Sequence, residues 1–149
     1  MTTKINPVKK VLFLYCVLCI PWMGISQSIF GKWKTIDDQT GQEKSIVEIY
    51  EENGKVFGKV VDILNPEDKD ALCEKCEGDE YNAPVLGLVL IKQLKKIGKF
   101  YRGGTIFDPE RGKKYKCRLA IDKNNPNILQ VRGYISFLYA SQYWLRVIE

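Results

Sequence analysis

Histidine is absent from all 149 residues, and that single absence closes many chemistries. No Ser-His or Cys-His nucleophile pair can form, and no imidazole can serve as general base, zinc ligand or pH switch. No convincing long helical period runs through the chain either, and there is no internal repeat or low-complexity linker. The apolar run Val11 to Ile20 falls short of the ~20 residues that a spanning helix needs.

That run has a different meaning. Lys4, Lys9 and Lys10 precede it as a positive n-region, and Gly24-Ile25-Ser26 follows as a small-x-small cleavage site. These are the three parts of a secretory signal. Residues 1–26 are therefore expected to be a signal peptide and residues 27–149 a single domain, exported to a periplasm or secreted, with no stable membrane span after signal removal. Leu18 before Cys19 and Tyr15 before Cys16 place large residues where lipid attachment needs a small one, so a lipoprotein signal does not fit. The whole chain carries 23 basic and 18 acidic residues, net +5. Three of those lysines and none of the acids lie in the leader, so the domain itself has 20 basic against 18 acidic residues. Without a dense basic stripe along the sequence, nucleic acid is not expected as a partner.

The remainder reads as short strands divided by turn chemistry. Gly31 to Ile36 alternates and then meets the turn Asp37 to Gly41. Ser45 to Glu51 and Lys55 to Leu64 flank Asn53-Gly54, a strong hairpin signal because both residues tolerate positive φ. Gly58 marks a bend or bulge within the second of these strands. Asn65 to Pro84 is a long acidic irregular section. Val85 to Lys92, Phe100 to Phe107, Lys114 to Asp122, Ile128 to Ile135 and Gln142 to Ile148 complete about eight strands. Short connections favour antiparallel neighbours, and a meander of this size avoids exposed edges by closing on itself. The expected fold is thus all-β, a single antiparallel barrel of about eight strands.

Two resemblances follow. Gly31-Lys32-Trp33 at the first strand and Arg146 in the last, YWLRVI, resemble the lipocalin-like (calycin) barrels. That resemblance implies that Arg146 packs across the Trp33 indole, a cation–π contact of roughly 0.5–2 kcal/mol that ties the barrel's ends together, with Gly31, Trp33 and Arg146 as closure residues. The segments GKWKTID, TGQEKSIVEIYEENGKVFGKVV, the C-x-x-C loop, GGTIFDPERGKKYKC, LQVRGYI and YWLRV resemble the exported bacterial family catalogued as domain of unknown function 2147. It implies export but supplies neither reaction nor ligand.

Among residues with chemical potential, Cys73 and Cys76 stand out in LCEKCEGDE. A thioredoxin-like centre needs such a pair at the start of a helix, and the flanking Glu74 and Glu77 raise thiol pKa values rather than lower them. A zinc site would need two further ligands from Asp70, Glu77, Asp79 or Cys117. An oxidising compartment favours the third alternative, a local disulfide that stiffens the loop. Alternation in Lys114 to Asp122 puts Tyr115, Cys117, Leu119 and Ile121 on one face, so Cys117 reads as a buried thiol in the wall. The Gly103–Gly112 loop lacks the following helix that a phosphate cradle requires and reads as a hairpin with a bulge at the glycine pair. Arg132 falls on the outward set with Gln130 and Tyr134.

No cofactor, metal site or catalytic residue is expected. The function expected by analogy with the fold is a binding module for a small apolar or amphiphilic ligand held in the barrel, in a cavity of at least ~300 Å³. The alternative is a non-catalytic structural or protein-interaction module of the envelope. Thiol-redox, metal-binding and enzymatic roles rank below both.

Overall fold

The computed structural model describes residues 28–148. The expected signal peptide, 1–26, lies outside the described residues. Eight strands follow one another: β1 (Gly31–Ile36), β2 (Glu43–Glu52), β3 (Lys55–Ile63), β4 (Val89–Ile97), β5 (Phe100–Asp108), β6 (Lys113–Ile121), β7 (Ile128–Ile135) and β8 (Leu138–Arg146). Each pairs antiparallel with the next, and β1 pairs with β8, so the sheet is a closed barrel. The β1–β8 seam that closes it is short, with Trp33 opposite Arg146 and Lys34 opposite Leu145.

Register assigns every side chain to a wall. Trp33 stands opposite Val47, and Leu129 opposite Trp144, all inward. These join Ile49, Val56, Val60, Ile91, Leu94, Leu119 and Val131 in one buried core. Gly58 sits where the β3–β4 register shifts on both sides, and the β5–β6 register shifts across Gly103, between Arg102 and Gly104. Gly104 is required for a second reason. A Cβ there would lie 2.1 Å from the Lys92 carbonyl oxygen, because β4 bulges towards it.

Two strands, β4 and β8, depart most from the sequence reading. The apolar run from Val85 is not one strand, since β4 begins at Val89. Residues 85–88 belong to the preceding loop, with Val85 N–H bonded to Ala71 O and Leu88 O accepting from Val60 N–H. The last strand begins at Leu138 rather than Gln142, because β7 and β8 join in a tight hairpin through Ser136 and Phe137, with Ile135 opposite Leu138. Ser136 adopts φ 55° there.

Among the described residues no helix is long and apolar enough to cross a membrane.

Candidate functional site at the barrel mouth

The two ends of the barrel are built differently. At one end Arg146 lies 4.1 Å from the Trp33 ring. Its Nη2 donates to Ser28 O at 2.6 Å and its Nη1 to Phe30 O at 3.3 Å. The Trp33 indole N–H donates to Ile29 O at 2.8 Å. The entering segment, with Ile29 buried, thus plugs this end. Gly31 has φ 113°, a left-handed value that a side chain resists. Space is not the constraint, because a Cβ would meet only Arg146 Nη1 at 3.7 Å.

The other end is formed by the β1–β2 loop, the long β3–β4 loop, the β5–β6 turn and the β7–β8 hairpin. On the inward face here, a row of small residues crosses four strands in register: Gly104, Cys117, Gly133 and Ala140. Above it stands a row of larger ones, Ile106, Tyr115, Ile135 and Leu138. Tyr115 packs beside Gly133, where a Cβ would meet its Cβ at 3.4 Å and its Cγ at 3.6 Å. Register turns Ile135 and Leu138 inward, yet they are 55% and 64% exposed, while Leu129 and Val131 further down the same face are buried. The mouth is therefore an open apolar wall above a filled interior.

Polar groups interrupt it. Thr35 and Ser45 share a hydroxyl–hydroxyl bond of 2.8 Å. Gln142 accepts from the Trp144 indole N–H at 3.1 Å and donates to Asp38 at 2.7 Å, linking core to rim. The Cys117 thiol is buried, and burial pushes its pKa up to about 12. It is therefore protonated and unreactive at neutral pH.

Cys73 and Cys76 form a disulfide with Cα atoms 5.3 Å apart. Both sulfurs are thereby unavailable as metal thiolates. The bond is buried with Leu88 in a satellite core against Val85, Leu90 and Phe107. It therefore fastens the loop onto the outside of β4 and β5, besides bracing it. A Lys92–Glu80 ion pair at 2.7 Å adds a second attachment, and Lys75 donates to the Glu110 carbonyl in the β5–β6 turn. Between loop and wall lies a cleft of about 460 Å³. Its lining includes Cys76, Glu77 and Glu80 from the loop, Leu90, Thr105 and Phe107 from the outer wall, and Lys113, Lys114, Tyr115 and Ile135 at the rim. Tyr115 and Ile135 belong to both cleft and mouth. Such a volume falls within the ~300–1,000 Å³ of small-molecule sites.

The sequence reading placed the ligand space inside the barrel. The interior is instead packed through Trp33, Ile91, Leu94, Leu119, Leu129 and Trp144, and the open volume lies at the rim. The mouth residues Leu138 and Ala140 lie ahead of the last strand expected from Gln142, because the hairpin at Ser136-Phe137 carries no glycine or proline to announce it.

Comparison with known proteins agrees with this architecture. No curated protein matches the chain. A solved structure titled "Protein HP1028 from the human pathogen Helicobacter pylori belongs to the lipocalin family" superposes with a TM-score of 0.71 at 22% identity, covering 82% of this chain and 84% of that one. The fold is thus lipocalin-like. The model of the family described as "Uncharacterized protein conserved in bacteria (DUF2147)" matches residues 31–146, from the first residue of β1 to the last of β8, and the chain belongs to that family.

Proposed function

We propose that this protein is an exported binding module whose barrel mouth and adjoining cleft hold a small amphiphilic molecule. One observation carries the reading: Ile135 and Leu138 face inward but stand open to solvent. Exposing apolar side chains on the concave face of a closed barrel forgoes roughly 25 cal/mol per Å² that burial would yield, and a ligand's apolar part would recover it. The polar end would lie towards Lys113, Lys114, Glu77 and Glu80. Export through a signal at residues 1–26, to a periplasm or to the outside, is supported by the buried disulfide, a bond that persists in oxidising compartments. Residues 27–149 would then be the mature single-domain carrier.

Native mass spectrometry of protein recovered from its own envelope tests this. A co-purifying mass of lipid size, lost from a Leu138→Asp variant, is expected. A ligand-free protein that also fails to bind a fluorescent fatty acid would refute the reading.

A second reading draws on the outward face of the same strand. Phe137 at the hairpin tip is 86% exposed, and Tyr139, Tyr143 and Leu145 are exposed beside it, a patch of the kind that protein interfaces use. An oligomeric or hetero-complex mass in the same spectra, without a small ligand, would favour that reading.

A further inference from the structure

The outer wall is electrically lopsided. Strands β4 to β8 contain ten lysines and arginines but one acid, Asp108 at the end of β5. Pairing places four of the cations in a single transverse row: Lys95 opposite Arg102, Arg102 opposite Arg118, and Arg118 opposite Arg132. All four point outward, since Leu94, Cys117, Leu119 and Val131 beside them are buried. Like charges directly opposite across a sheet destabilise it. None of the four has a carboxylate partner among the described residues. Three successive violations of a local rule, with no carboxylate to offset them, are the pattern expected of a functional surface.

The row is also partly organised. The Arg118 guanidinium lies 4.4 Å from the Phe100 ring centre, and its Nη2 donates to Gln130 at 2.9 Å. Its Nε is enclosed without an acceptor. The Arg132 guanidinium lies 4.1 Å from the Tyr139 ring centre and its Nε donates to Ser141 at 2.8 Å. Arg102 and Lys95 are exposed and carry no side-chain partner among the described residues.

We infer that the outer wall of β4–β7 binds an acidic polysaccharide, with the row Lys95, Arg102, Arg118 and Arg132 meeting successive carboxylates. Three features select this occupant. Neighbouring cations are separated by one strand spacing, ~4.8 Å, which suits a chain bearing one carboxylate per sugar residue. The row follows the curved wall across four of the eight strands, so a flexible chain can meet all of it, whereas a flat membrane would touch only part. The Phe100 and Tyr139 rings beside the row each already hold a guanidinium against one face, the face that base stacking by single-stranded nucleic acid would use. Guanidinium forks take carboxylates bidentately, which makes Arg the appropriate cation here. The site is separate from the mouth and does not rest on the ligand proposed there.

Titration of the full exported chain with fluorescently labelled oligogalacturonate at ~20 and ~200 mM salt provides the test. Saturable binding at low salt is expected, weakened about tenfold by Arg102→Gln and by Arg132→Gln, and on the order of 100-fold by both. Lys34→Gln, on β1 and ion-paired with Glu43, removes the same charge elsewhere and should change affinity less than twofold. Should Arg132→Gln disturb the wall through Tyr139, exposed Arg102→Gln carries the test alone, with an unchanged or raised Tm. Absence of binding at low salt, equal weakening by Lys34→Gln, or tighter binding of a thymidine oligonucleotide or of phosphatidylglycerol vesicles would each overturn the proposal.

Discussion

The plugged end and the open mouth use the same alternation of inward and outward residues, yet they treat apolar surface in opposite ways. At the plug, two tryptophans, Ile29 and the Arg146 guanidinium leave the inward positions sealed. At the mouth, Ile135 and Leu138 occupy equivalent inward positions and face water. On the function proposed above, the difference divides stability and recognition along the barrel axis. Substitutions of the sealed plug residues should therefore change stability, and those of the exposed mouth residues Ile135 and Leu138 should change binding with little effect on folding.

The largest expected effect lies at the plug. Trp33→Ala should cost about 3–5 kcal/mol, measured by urea unfolding, since it removes a fully buried indole. Arg146→Ala should cost less, and the double variant less than the sum, because the two groups touch. Strict additivity would separate closure from the cation–π contact.

Gly104→Ala should come next, at about 1–3 kcal/mol or more, because a Cβ would collide with the β4 backbone and strands β4 and β5 would have to part. A loss under about 0.5 kcal/mol would show that the bulge relaxes freely.

Cutting the loop's staple by Cys73→Ser with Cys76→Ser should cost about 2 kcal/mol by the ring-closure relation for so short a loop. Hydrogen exchange should rise in residues 71–85, while the closed end keeps its protection. Equal loosening at both ends would contradict the assignment of the satellite core to the loop alone.

Alkaline pH provides a smaller and more graded probe. The folded Cys117 thiol has its pKa raised from 9.0 to about 12 by burial. Above pH 9 the unfolded chain loses this proton and the folded chain retains it, so stability is full below pH 9 and falls as pH rises towards 12. Cys117→Ala should flatten part of that slope. Retention of the full slope would assign it elsewhere, for example to Tyr50, whose pKa is also raised by burial.

Much of the architecture was legible because alternation and turn residues are local signals. Asn53-Gly54 marked a hairpin, and the Cys117 face was readable from the residues at every second position. The mouth was not, because Ser136-Phe137 lacks turn-specific residues and the hairpin is recognisable only from its register. The cationic row was even less accessible. Lys95, Arg102, Arg118 and Arg132 are scattered through the sequence and become neighbours only when four strands lie side by side. A bulge at Gly103 also shifts the register on the way. The wall charge also bears on location, since a cationic row across the outer wall is incompatible with the lipid-facing apolar band of a membrane barrel.

The division between the two ends is tested most directly by an amide-resolved NMR titration of residues 27–149 with lauric acid. Shifts should concentrate at Thr105–Phe107, Tyr115 and residues 135–140, with the Trp33 and Trp144 indole signals unmoved. Shifts centred on those indoles, or none at saturating lauric acid, would contradict a ligand site at the mouth.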